Sequence, residues 1–129
     1  MKNILSILFM ATVLLSAPVH AENKPVSKPI SHIILVWLKE PGNAEMRQQF
    51  VEASKSLNDL PGIINRHVGI SVKSNRKIVD DSFDVAVTVT LKDEAALKAY
   101  MNHPKHKQIV HDKLKPLVGK IIAYDFVSP

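Results

Sequence analysis

From Ile30 to Leu38 almost every position is apolar, with Ser31 and His32 the polar exceptions. A run of that length without amphipathic alternation predicts a strand covered on both faces. Pro41-Gly42 breaks it. Asn43 can then cap a helix, and Glu45 suits the positive end of its dipole. Met46, Phe50, Ala53, Leu57 and Leu60 follow at steps of four and three, one apolar stripe on a helix that Pro61-Gly62 should end. A second strand is predicted from about Ile63 to Val72. The polar loop Lys73 to Lys77 leads to a third strand at Ser82 to Leu91. In that strand Phe83, Val85, Val87 and Val89 share one face, while Asp84, Ala86, Thr88 and Thr90 make a smaller, more polar one. Asp93 can cap a second helix carrying Leu97, Tyr100 and Met101. Pro104 disfavours helical geometry at His103 and is a good first residue for a third helix, which should end near Leu117. Lys120 to Val127 reads as the last strand.

The order strand, helix, strand, strand, helix pair, strand predicts an α+β domain. It is the ferredoxin-like βαββαβ arrangement, with helices on one side of a four-stranded antiparallel sheet. No second layer of helices is encoded for the other side. A second copy of the chain is the economical cover for that bare face, so the expected assembly is a homodimer closing a dimeric α/β barrel.

The N-terminal segment has a different pattern. Lys2 precedes an apolar run, Ile4 to Leu15, that closes on small residues before Val19-His20-Ala21. This predicts a secretory signal peptide over residues 1–21, because the run is shorter than the roughly 20 residues of a membrane span. The mature chain would begin at Glu22, with residues 22–29, polar and containing two prolines, as a flexible leader and residues 30–129 as one domain. The expected location is the periplasm or outside the cell, with no membrane attachment after cleavage. Taking 21 residues from 129 leaves 108, enough for a single core. The chain contains no cysteine, so packing alone must stabilise it. Its net charge of +5 includes Lys2 and is spread among acids with few aromatics beside it, which argues against nucleic acid as a partner.

Candidate chemistry gathers in Tyr100-Met101-Asn102-His103-Pro104-Lys105-His106, where three groups able to carry protons or hydrogen bonds crowd one helix break. With a helix starting at Pro104, a turn of about 100° per residue puts His106 on the side of Ile109, Val110, Leu114 and Leu117. An imidazole in such an apolar wall favours its neutral, basic form, and a neighbouring tyrosine hydroxyl could polarise a carbonyl while the histidine takes a proton. Both side chains could instead be buried packing elements that fix the break. His103 can cap the third helix, and with His32 it is also a candidate ligand contact. His67 shares a strand face with Asn65 and Ser71, and His111 points away from the apolar stripe. No metal site is expected. His106 and His111 would lie well over 90° apart on the helix, with neither cysteine nor a well-placed acid to complete a ligand set. No nucleophile elbow and no Gly-rich phosphate loop occur, so no cofactor is implied.

The spacing of several short motifs is similar to that of the stress-responsive α/β-barrel domain family, the Dabb family. These are His32, Leu60-Pro61-Gly62-Ile63, Gly69, Phe83-Asp84-Val85-Ala86, Tyr100-x-x-His103-Pro104-x-His106 and Tyr124-Asp125-Phe126. The resemblance spans roughly Pro29 to Val127 and implies the dimeric ferredoxin-like barrel. Most members have no assigned reaction, but the resemblance extends to a plant polyketide cyclase that closes a ring by intramolecular aldol chemistry. Carried over, His106 would be the base, Tyr100 its hydroxyl partner and His32 a pocket-lining residue. Val85 stands where that enzyme has a further pocket histidine.

Two function classes follow. In one, the exported homodimer is a non-catalytic stress or interaction module. In the other, it binds a small apolar or aromatic ligand and performs cofactor-free acid–base chemistry with His106 and Tyr100. An open cavity of a few hundred Å³ reaching His106 separates them.

Overall fold

A computed structural model describes residues 27–129 of the protein. The expected signal peptide and most of the leader lie outside the described residues. Four strands, β1 (Ile30–Leu38), β2 (Ile63–Ile70), β3 (Val85–Leu91) and β4 (Val118–Val127), form one sheet in the order β2-β3-β1-β4, with every neighbouring pair antiparallel. Helices α1 (Ala44–Lys55), α2 (Glu94–Asn102) and α3 (Pro104–Ile109) connect them. The domain is ferredoxin-like, as the order of elements predicts. Among the described residues no helix is long and apolar enough to cross a membrane.

Local chemistry sets most boundaries. Asn43 accepts a hydrogen bond from Met46 N at 3.0 Å and Asp93 one from Ala96 N at 2.8 Å, so both expected caps start their helices. α1 ends at Lys55, before Pro61-Gly62. Ser56 N and Oγ both donate to the Ala53 carbonyl and close the last turn early. Leu57 and Leu60 therefore lie past the helix, yet both stay buried and continue its stripe into the core. Gly62 takes φ +85°, and a Cβ there would sit 3.0 Å from the Ala96 side chain, so only glycine lets β2 start this close to α2.

The run after Pro104 is composite. Pro116 has no N–H, and its ring would strike the carbonyl four residues back, so an α-helix cannot pass through it. The chain widens into a π turn over Val110–Leu114, in which Lys115 N donates to Val110 O, and tightens into a 3₁₀ turn over Lys115–Leu117. The segment ends at Leu117 as expected, with a changed hydrogen-bond ladder.

The core lies between sheet and helices. Val36, Leu38, Val85, Val89 and Leu91 from the sheet meet Phe50, Leu57 and Tyr100. The cross-strand registers place Ile33, Leu35 and Trp37 of β1 beside Thr88 and Ala86 of β3 and beside Tyr124, Ile122 and Lys120 of β4 on the opposite face. No helix of the described residues covers that face.

Asp84 departs from its expected place on this small polar face. β3 begins one residue later, and the Asp84 carboxylate is buried, accepting from Leu38 N at 2.9 Å and Gly42 N at 2.7 Å. It ties the end of β1 to the turn that launches α1. Asp84→Ala would strand both N–H groups and is expected to cost about 2–3 kcal/mol, read as a lower urea midpoint; Asp84→Asn, which keeps one acceptor, should cost less.

Candidate functional site

All four strands and the helix break contribute to one cavity of about 320 Å³ between sheet and helices. Its walls are mainly apolar, with Ile34, Phe50, Val87, Val89 and Leu114 among them. Within this lining stand His32, Arg66, Tyr100 and His106. The volume lies in the range of small-molecule pockets, roughly 300–1,000 Å³.

Each polar side chain arrives there for a local reason. Tyr100 lies in the last turn of α2, and Pro104 forces His103 out of helical geometry, to ψ 133°. The chain bends, α3 starts afresh, and His106 folds back against Tyr100 with ring centroids 4.6 Å apart. Both are buried. His103 accepts from Lys105 N through Nδ1 at 3.2 Å, which makes it the cap of α3, and it is not among the cavity-lining side chains. His32 has even parity with Ile34 and Val36, so it faces the helices. Its ring lies edge-on to Tyr100, centroids 6.4 Å apart. His32 Nδ1 lies 2.5 Å from Asp125 Oδ1 across the β1–β4 ladder, a hydrogen bond that orients the ring. His67 and His111 are both exposed and belong to other surfaces. Among the described residues no group of three or more His, Cys, Asp or Glu side chains converges as a metal site would require.

Arg66 and Asp125 were not foreseeable as a pair of site residues from motif spacing, but Arg66 left a trace. It occupies the β2 parity opposite to Asn65 and His67, so it is a lone cation on the strand face that also carries Val68. Its Nε–H approaches Tyr100 Oη at 3.4 Å, while its terminal nitrogens donate to Asn58 Oδ1 at 2.8 Å and Ser54 Oγ at 2.7 Å. Tyr100 Oη thus has a donor beside it, and its own proton remains available to a ligand oxygen.

Burial holds the His106 pKa below its ordinary value of 6.5, and the neighbouring His32 and Arg66 charges act in the same direction. A hydrogen bond to the Met101 backbone opposes this without reversing it, and the His103 charge adds weakly to the lowering. The group is therefore a neutral imidazole at pH 7, able to accept a proton. As pH falls below 6.5, the unfolded chain takes up this proton before the folded one does. Its contribution to stability is accordingly complete above that value, declines below it, and levels off under the folded-state pKa. His106→Gln is expected to flatten this part of the stability profile, measured by thermal melts between about pH 5 and 8.

Over residues 30–128 the sequence matches the family profile of the Stress responsive A/B Barrel Domain. No curated protein matches the chain. Among solved structures, it is similar to a dimeric ferredoxin-like protein of unknown function from Thermobifida fusca YX, with 22% identity, TM-score 0.65, and coverage of 79% of this chain and 92% of the other. It is also similar to a Dabb family protein with a ferredoxin-like fold from Mesorhizobium loti MAFF303099, at 24% identity, TM-score 0.65, and coverage of 80% and 99%. A third likeness is to a hydroxynitrile lyase from Passiflora edulis, at 16% identity, TM-score 0.67, and coverage of 79% and 94%. At these identities the likeness speaks for the fold.

Proposed function

Because the chain belongs to the stress-responsive A/B barrel domain family, we propose that it works as an exported homodimer that binds a small apolar or aromatic carbonyl compound and moves a proton on it without a cofactor. The observation that carries this reading is the cavity of about 320 Å³ that reaches both His106 and Tyr100. In the reaction a ring nitrogen of neutral His106 takes a proton from the carbon next to the carbonyl. The electron pair moves onto the carbonyl oxygen, and the Tyr100 hydroxyl donates a hydrogen bond to the enolate as it forms. Return of the proton completes exchange; attack of the enolate carbon on a second carbonyl of the same molecule would close a ring. The hydroxynitrile lyase neighbour supports the idea that this fold can house chemistry on small molecules. The dimeric state of the Thermobifida neighbour and the uncovered sheet face support the homodimer. Export rests on the pattern of residues 2–21.

A second reading, a non-catalytic stress or interaction module, is favoured by one observation. Tyr100 is only 3% exposed and neighbours the Arg66 fork, so it also serves as a packing element. The test is deuterium incorporation next to the carbonyl of phenylacetone in D₂O, followed by proton NMR. Protein-dependent exchange above the buffer rate is expected, and Tyr100→Phe should slow it. Exchange at the buffer rate at every protein concentration would leave the module reading.

A further inference from the structure

The charges around the cavity are unbalanced. Of its lining side chains Arg66 and Lys115 are cationic, His32 and His106 can become so, and none is an aspartate or glutamate. Asp125 touches His32 from outside the lining. Arg66 is the informative member. It is partly buried beside an apolar cavity, and among the described residues no carboxylate forms an ion pair with it. Its three partners, Tyr100, Asn58 and Ser54, are all neutral. They occupy one hydrogen on each nitrogen and leave a second N–H on each of the two terminal nitrogens. The fork reaches from Ser54, 1% exposed, to the exposed Asn58, so the guanidinium sits where the cavity meets solvent. Neutral partners position a guanidinium without cancelling its charge, and a planar fork with spare donors matches a carboxylate.

Taking the ligand-binding reading of this cavity as given, we infer that its ligand is an aromatic or branched apolar carboxylate, with the carboxylate on Arg66 and the apolar body against Ile34, Val87, Val89 and Leu114. The assignment follows from charge complementarity: an anion completes the guanidinium, and the tail displaces water from a wall that cannot hydrogen-bond to it. Lys115 is exposed and adds attraction at longer range.

Titration calorimetry with three matched pairs tests this: benzoate with benzamide, cinnamate with cinnamamide, and 2-naphthoate with 2-naphthamide. Each amide keeps the shape of its acid and removes the charge. Wild-type protein is expected to bind at least one acid about ten-fold or more tightly than its amide, as a charge-assisted contact implies. Arg66→Gln should abolish that preference; Arg66→Lys, which keeps the charge but not the fork, should retain part of it. Melting curves of both variants separate loss of binding from loss of fold, and Lys115→Gln should have the smaller effect. Equal affinity for acid and amide, or a preference that survives Arg66→Gln, overturns the inference and leaves the cavity as a site for neutral ligands. Failure of all six compounds to bind overturns the binding reading itself.

Discussion

His106→Ala is expected to slow proton exchange on bound phenylacetone by about 10²–10⁴-fold, the usual contribution of a positioned general base. The size follows from what the cavity holds in reserve. Burial and the nearby His32 and Arg66 charges favour the unprotonated imidazole, so the form that can act as a base predominates at neutral pH. Among the described cavity residues, His32 is the other imidazole, but its Nδ1 is engaged by Asp125 and its ring centroid lies 6.4 Å from that of Tyr100, against 4.6 Å for His106. It cannot take over from the same position. Tyr100→Phe leaves the base in place and removes one donor to the enolate, so its effect should be smaller than that of His106→Ala. A His106→Ala protein that melts near the wild-type temperature and still exchanges within a few-fold of the wild-type rate would exclude His106 as the base. The pH profile gives a second check: exchange should fall as pH drops through the folded-state pKa, on the acid side of 6.5.

How far such a site can be read from sequence depends on whether its geometry is local. His106 could be turned inward on paper because a proline starts its helix and an apolar stripe, Val110 and Leu114, shares its side. Three residues on one helix suffice for that argument. The π turn at Val110–Leu114 does not disturb it, since the widening begins after His106. The strands, apart from their ends, and the three N-caps were equally legible, because period and cap chemistry are carried by neighbours in the chain. The end of α1 was not. Leu57 and Leu60 keep helical spacing and are buried, but a hydrogen bond from Ser56 Oγ to the Ala53 carbonyl closes the helix first, and periodicity does not register that competition. The remaining misses are long-range. Asp84 meets Leu38 N and Gly42 N from more than forty residues away, and Asp125 meets His32 from 93 residues away. Arg66 finds Tyr100 only after β2 has been laid beside β3. No spacing rule contains these contacts, because strand order and register create them.

Leu35→Glu is expected to turn the proposed homodimer into a monomer that keeps its fold. Leu35 lies in β1, one of the two interior strands, on the face without helices, between Ala86 of β3 and Ile122 of β4. Around it the same face presents Ile33, Trp37 and Tyr124, an apolar surface that a lone chain would leave to water. In a two-fold dimer each substitution occurs twice and at the centre of contact. Taking an unpaired carboxylate out of water costs several kcal/mol per ion even after relaxation. Two such ions should raise the dimer dissociation constant by well over about 10³-fold, since each factor of ten corresponds to roughly 1.4 kcal/mol. The monomer itself should tolerate the change, because in a single chain this face is open to solvent and Val36 and Leu38, on the other parity, keep their places in the core. Sedimentation at micromolar concentration should show one copy for the variant and two for the wild type, with unchanged far-ultraviolet circular dichroism. Gln108→Glu, which adds the same single negative charge at an exposed position of α3, should leave the dimer intact. A Leu35→Glu protein that still sediments as a dimer would mean that the copies meet elsewhere, and that the bare sheet face is not what joins them.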